Sequence, residues 1–264
     1  MLCTQVRASD GSWNVSTIEH LMSALTAARI HNARVDILEH EGGNVVEIPI
    51  LDGSALPFAQ HIQQAGVAEI PSASQRYVRI LRPVQVLLKD KAAWFLPLPD
   101  VDGAVKQCAP TLHVSVQVNF AHKGLGTVHS RFTLGADSDA SFQEFMQSIA
   151  PARTFTFEEE VAWMQQNGLA LGGSLDNAVV FKASKDGDAV PHLLDRVMNP
   201  EGLRFADDEW ARHKLLDCVG DVGLLGLPVH GYLFSTSPGH ALTHRLLEEL
   251  LSDPHNYEIV STTV

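Results

Sequence analysis

Arg212-His213-Lys214-Leu215-Leu216-Asp217 places a histidine and a carboxylate four residues apart. On a helix such a pair projects from one face with Cβ atoms about 6 Å apart, close enough for both side chains to grip one ion. The same spacing also describes an ordinary surface pair that stabilises a helix by a few tenths of a kcal/mol. Glu19-His20 is a second pair, although Glu19 could equally close a capping box begun by Ser16, with His20 at the edge of an amphipathic face. Together the pairs supply His20, His213 and Asp217 as ligands with a fourth position open for water, and Glu19 as a carboxylate to take a proton, the make-up of a hydrolytic zinc site. In Ser237-Pro238-Gly239-His240, proline near the first helical position opens a helix and leaves His240 in its first turn. A plain surface histidine near a helix start fits that last pattern as well.

The rest of the chain narrows what such a site can serve. Its 264 residues have room for one large domain or two small ones, with a sizeable core. An apolar share of 45% with 19% charged residues is that of a globular chain rather than a disordered or fibrous one. Nineteen Lys and Arg against 31 Asp and Glu leave a formal charge of −12, and the basic residues are scattered, so no nucleic-acid partner is expected. Cys3, Cys108 and Cys218 are odd in number and widely spaced, which indicates neither a disulfide framework nor a thiolate zinc knuckle and points to a reducing cytoplasm. The N-terminus lacks the apolar stretch of a signal peptide, and no segment reaches the roughly 18 uncharged apolar residues of a spanning helix, so no transmembrane segment is expected.

The elements that must position these groups are readable from periodicity. Ile18, Leu21, Met22, Leu25 and Ala28 predict a helix from Ser16 to about Ile30. Arg34 to Glu39 and Val45 to Leu51 predict a pair of strands around Gly42-Gly43-Asn44. A second helix runs through Phe58, Ile62 and Ala65 and stops at Gly66, and Pro71-Ser72-Ala73-Ser74 follows as a linker. Tyr77 to Lys89, Trp94 to Pro97 and Leu112 to Phe120 alternate as antiparallel strands do. Beyond them come a helix over Ser138 to Ile149, a β-α-β unit (Thr154 to Phe157, Glu158 to Asn167, Leu169 to Phe181), a helix from about Asp207 to Leu225, a strand from Val229 to Ser235 and a closing helix from Pro238 to Leu251.

Several separated segments carry a family resemblance: Ser16 to Leu25 with its Glu-His pair, Glu47 to Ser54, Ala152-Arg153-Thr154-Phe155, Leu171 to Ala178, Gly202-Leu203-Arg204-Phe205, Arg212 to Asp217 with Gly220-Asp221, and Gly239-His240-Ala241-Leu242. In order and spacing they resemble the UDP-3-O-acyl-N-acetylglucosamine deacetylases, the zinc amidases of bacterial lipid A synthesis. The resemblance runs from Met1 nearly to the C-terminus. It differs at the start, where the family's chains begin with additional strands and a Gly-His loop, so the first domain is expected to be incomplete.

The resemblance implies an α+β fold of two layered domains, residues 1–74 and 75–264, each a sheet packed on helices, with the β-α-β insert at about 154–181. It implies that His20, His213 and Asp217 hold one Zn2+ per chain, with Fe2+ as the alternative metal. Glu19 is then the general base, and the Thr154 hydroxyl and a protonated His240 are donors to the oxyanion. Asp221 keeps His240 charged, and Lys214 meets substrate oxygens or phosphate. Phe155, Val161, Ala170, Gly173, Ser174, Ala178 and Val180 belong to the insert that forms an acyl-chain channel in the family, although ordinary domain core describes Val161 and Val180 equally well. The implied substrate is a small acylated UDP-amino sugar whose acetamide is hydrolysed by a cytoplasmic monomer. Two other readings remain: a zinc amidase acting on another acylated amino sugar, and a truncated, inactive homologue retained as a binding protein. Retention of Glu19, His20, His213, Asp217 and His240 favours the enzyme.

Overall fold

The computed structural model describes residues 3–37, 45–70, 73–99, 109–166, 172–182 and 193–262. Its first part holds β1 (Gln5–Arg7), β2 (Asn14–Ser16), α1 (Glu19–Ala27), β3 (Val45–Glu47) and α2 (Leu56–Ala65). β1 pairs antiparallel with β2, and β3 joins β2 in parallel. There follow β4 (Gln75–Ile80), β5 (Val84–Leu88), β6 (Lys91–Leu96), β7 (Leu112–Phe120), β8 (Gly126–Leu134) and α3 (Ser138–Ser148). The β-α-β unit is β9 (Phe155–Phe157), α4 (Glu158–Gln166) and β10 (Val179–Phe181), with β9 and β10 parallel. The chain continues through α5 (Glu209–Val222), β11 (Val229–Thr236), α6 (His240–Ser252) and β12 (Tyr257–Thr262).

One mixed seven-stranded sheet dominates, in the order β12-β4-β11-β6-β5, with β7 added to β11 and β8 to β7. Along β7 the residues Leu112, Val114, Val116 and Val118 are buried while their neighbours are less so, and this period of two commits one face of the sheet to the interior. α5 packs against β7 and β8, and α6 against β5 and β6. Trp210, Leu215, Leu216 and Val219 of α5 and Leu242, Leu246 and Leu250 of α6 join Phe95, Val114, Val116 and Leu233 of the sheet in one core. At about 1.5–3 kcal/mol for each large apolar side chain taken from water, this face fixes the register of both helices.

α1 crosses α5, and glycine makes the approach possible. A Cβ on Gly220 would lie 2.2 Å from the backbone oxygen of Glu19, and one on Gly223 would lie 2.3 Å from Thr26 Oγ1. The crossing therefore lays the first turn of α1, with Glu19 and His20, on the C-terminal half of α5, at Asp217 and Gly220.

The α+β class and the order of the main elements are as the sequence implies, with local differences. α1 starts at Glu19 rather than Ser16, because Ser16 is taken into β2 and Thr17 turns the chain with φ at 60°. The capping box does not form: Ile18 is the N-cap, with no side-chain bond. Residues 34–37 form no strand, and Val35 and Ile37 are exposed; 38 and 39 lie outside the described residues. Pro83 splits the expected Tyr77–Lys89 strand into β4 and β5. Of Leu169–Phe181, residues 179–181 are strand and 172–178 are turn, while 169–171 lie outside the described residues, as do Pro71 and Ser72 of the linker and Cys108. β1, β2, β8 and β12 have no counterpart in the sequence reading. Gly66, with φ at 75°, ends α2 as expected.

Candidate active site

α5 carries His213 and Asp217 one turn apart, with Nε2 and Oδ1 separated by 3.4 Å. α1 brings His20 to the same carboxylate oxygen, its Nε2 at 4.0 Å, with its ring edge-on to that of His213 at 5.1 Å between centroids. All three side chains are buried. His213 Nδ1 lies 3.0 Å from the carbonyl oxygen of Ala152. A carbonyl can only accept, so Nδ1 carries the proton and Nε2 points its lone pair at Asp217.

Two acceptors thus face each other across a buried gap with no hydrogen between them, an arrangement that repels unless a cation lies there. Asp217 Oδ1 and His20 Nδ1 have no hydrogen-bond partner among the described residues. One ligand atom from each of the three residues falls within 4.8 Å of the others. The charge states suit a divalent metal. Burial pushes His20 down to about 3, and burial lowers His213 as well. Burial opposes charge on Asp217, but the charge of Lys214 outweighs it and holds the carboxyl far below its ordinary range. Lys214 Nζ donates to Asp217 Oδ2 at 2.9 Å. Two neutral imidazoles and an ionised carboxylate are what metal ligation needs.

Beside this group lies a second set of buried residues. Glu19 Oε2 accepts the backbone N–H of Thr4 at 2.9 Å, while Oε1 sits 3.7 Å from His240 Nε2. Burial, with Asp217 adding to it, raises Glu19 to about 7. His240 is the first residue of α6, and its Nδ1 lies 3.0 Å from Asp221 Oδ2. Burial works against a charge on the ring, yet the bond to Asp221 and the field of Asp217 raise it to about 9. A carboxyl raised toward neutrality and an imidazole raised well above its ordinary range therefore stand side by side, each shifted upward by its surroundings.

The other expected residues are placed less uniformly. Phe155 lies 6.4 Å from the His213 ring, between centroids, and Lys214 Nζ is 5.6 Å from the Phe155 centroid, so both belong to the same surroundings. Thr154 is half-buried between Ala152 and Phe155, its backbone tied to Gly53 and Val179. Val180 is buried and pairs with Thr156 across β9 and β10. Val161 and Ala178 are half-buried, and Gly173 and Ser174 are exposed in a turn. Ala170 lies outside the described residues.

Three participants escape the sequence reading. Thr4, fully buried, touches Glu19, Asp221 and His240, and nothing in its type or spacing marks it. His244, with Nε2 3.4 Å from Asp221 Oδ1, follows His240 by four residues on α6, the spacing that singled out His213 and Asp217. Glu209, one turn before His213, accepts the backbone N–H of Arg153 at 3.1 Å and its Nε at 2.8 Å. That buried pair lays residues 152–153 along α5, where Ala152 meets His213.

Comparison with known proteins adds an independent line. The sequence model of the family LpxC: UDP-3-O-acyl N-acetylglycosamine deacetylase matches residues 1–252. A UDP-3-O-acyl-N-acetylglucosamine deacetylase of Citrifermentans bemidjiense is 40% identical over 262 residues, covering 99% of this chain and 73% of its own. Proteins of the same name from Anaeromyxobacter sp. (strain Fw109-5) and Psychrobacter cryohalolentis are 39% and 36% identical, covering 100% and 95% of this chain and 74% and 68% of theirs.

Proposed function

Because the chain belongs to the LpxC family of UDP-3-O-acyl N-acetylglycosamine deacetylases, we infer that it hydrolyses the acetamide of UDP-3-O-acyl-N-acetylglucosamine in lipid A biosynthesis. The products are acetate and UDP-3-O-acyl-glucosamine, and one water is consumed as the C–N bond breaks. The family is metal-dependent. We assign the metal as one zinc ion held by His20, His213 and Asp217, the reading supported above all by the facing acceptors His213 Nε2 and Asp217 Oδ1 at 3.4 Å. When bound, zinc supplies polarisation of the amide carbonyl and acidification of water.

The chain's own residues supply the proton transfers. Glu19, poised near neutrality by its burial, takes the proton of the attacking water through Oε1, the oxygen that faces His240. An unactivated amide gathers negative charge on its oxygen as the tetrahedral centre forms, and donors fixed in advance lower that barrier most. Charged His240 is such a donor, with Asp221 holding its Nδ1 and leaving Nε2 free for the substrate; the Thr154 hydroxyl is the second. The departing amine takes its proton from Glu19 or His240. Lys214 receives substrate oxygens or phosphate. Phe155, Val161, Gly173, Ser174, Ala178 and Val180 line the path of the acyl chain.

Residues 1–74 and 75–264 form the two domains in this account. No helix among the described residues is long and apolar enough to cross a membrane, and we place the protein in the cytoplasm as a monomer. The test is acetate release from UDP-3-O-acyl-N-acetylglucosamine by zinc-loaded protein, with the free amine identified by mass. No acetate from this substrate, but release from a different acylated amino sugar, would reassign the substrate. No binding of either sugar would contradict the whole reading.

A further inference from the structure

Thr4 lies on none of the three helices that carry the site, yet it touches a group from each. Its backbone N–H donates to Glu19 Oε2 of α1 at 2.9 Å. Its hydroxyl donates to Asp221 Oδ1 of α5 at 2.6 Å. His240 Nδ1 and His244 Nε2 of α6 each lie 3.1 Å from the same hydroxyl oxygen. A hydroxyl has one proton to give. With that proton on Asp221, Oγ1 offers only lone pairs, so a ring nitrogen bonded to it must carry a hydrogen. His240 Nδ1, 3.0 Å from Asp221 Oδ2, sends its N–H to the carboxylate. His244 Nε2–H is then the donor to Thr4. The bonds run in one direction, from His244 to Thr4 to Asp221, whose other oxygen holds His240.

We propose that Thr4 is a positioning residue for the deacetylation: its amide turns Glu19 so that Oε1 faces His240, and its hydroxyl, supported by His244, fixes Asp221 and through it the His240 ring. The proposal rests on Glu19 and His240 being the proton-handling pair, and extends that reading to two residues that touch no reacting atom. Because Thr4 stands outside α1, α5 and α6, it couples the base on one helix to the donor on another without belonging to either. A displaced ring or carboxylate still binds substrate but meets the transition state badly, so the loss falls on turnover rather than on affinity.

Thr4→Val keeps the shape and the amide and deletes the hydroxyl; Thr4→Ser keeps the hydroxyl. In the zinc-loaded full chain with UDP-3-O-acyl-N-acetylglucosamine, Thr4→Val should lose about 10- to 100-fold in kcat with KM within about threefold, the scale of a group misplaced by about 1 Å. Zinc content should be unchanged, and Thr4→Ser should recover to within about fivefold of wild type by the same reasoning. A second readout needs no turnover. Nitrogen-15 shifts of the histidine rings in zinc-free protein should show His244 as the Nε2–H form, and Thr4→Val should shift the Nε2 resonance as that N–H passes from the Thr4 hydroxyl to Asp221 Oδ1, 3.4 Å away. Wild-type kcat in Thr4→Val overturns the proposal. So does a Thr4→Ser protein as slow as Thr4→Val, which would assign the effect to packing of the methyl group. If Thr4→Val does not fold, His244→Leu and His244→Gln take its place: the Leu variant should lose turnover and the Gln variant regain it, and wild-type kcat in His244→Leu overturns the proposal. Glu19→Gln and His240→Gln, assayed alongside, keep the two readings apart. Normal turnover in those variants sinks the proton-handling pair, whereas their inactivity beside a fully active Thr4→Val sinks only the role of Thr4.

Discussion

His213 Nε2 and Asp217 Oδ1 face each other at 3.4 Å with their hydrogen-free sides inward. His213 cannot turn its proton into the gap, because Nδ1 keeps it for Ala152 at 3.0 Å. A zinc ion ligated by both atoms should bind the folded chain and not the unfolded one, and so stabilise the fold. Thermal unfolding with and without zinc should show a raised Tm on loading, since a ligand at about 1,000 times its Kd adds about 4 kcal/mol to stability. His213→Ala should abolish the increment; an equal zinc-induced rise in that variant would place the metal elsewhere.

Glu19 is buried beside the ligands but binds no metal in this account. Glu19→Ala should retain zinc by elemental analysis while kcat falls about 10²- to 10⁴-fold, the usual contribution of a general base. Near-normal kcat would remove Glu19 from the mechanism.

The two neighbouring ionisations predict a bell-shaped pH profile. Glu19 works deprotonated, so turnover should rise as pH climbs through about 7. His240 works protonated, so turnover should fall as pH climbs through about 9. His240→Gln cannot carry the proton and should lose the alkaline limb along with roughly 10²-fold in rate. An unchanged alkaline limb in that variant would assign the ionisation to another group, Lys214 first.

The α1–α5 crossing depends on a missing side chain. Gly220→Ala would set a methyl 2.2 Å from the Glu19 carbonyl oxygen, so α1 must move away, at about 1–3 kcal/mol as for other overpacked contacts. Because that movement carries His20 away from Asp217, zinc affinity should fall together with the midpoint of denaturant unfolding. A drop in stability with unaltered affinity would show that α1 holds His20 independently of the crossing.

Spacing marked the pairs His213 with Asp217 and Glu19 with His20 but left an ordinary surface or capping reading open for each, and the family resemblance joined them and pointed to Thr154, Lys214, Asp221 and His240. Helical period placed His213 and Asp217 on one face of α5, and the Glu-His pair at the start of α1 followed from the apolar stripe behind it. The fold around them was legible where a pattern met one buried face, as in β7. It was within reach also in β8, whose polar and apolar residues alternate, but not where partners are remote: β12 becomes a strand through pairing with β4 from Tyr257↔Ile80 to Thr262↔Gln75. Thr4 was beyond reach for the same reason. Its partner Asp221 lies 217 residues away, and no local rule links a threonine ahead of β1 to a carboxylate on α5. His244 was within reach, at the spacing already used for His213 and Asp217.

The most direct test of the account is a zinc titration of metal-stripped protein, read as acetate released from UDP-3-O-acyl-N-acetylglucosamine. The rate should start near zero, rise linearly and level off at one zinc per chain, and a His20→Ala protein should stay inactive across the same range. Full activity in the stripped protein, or wild-type activation of the His20→Ala protein by one equivalent, would contradict it.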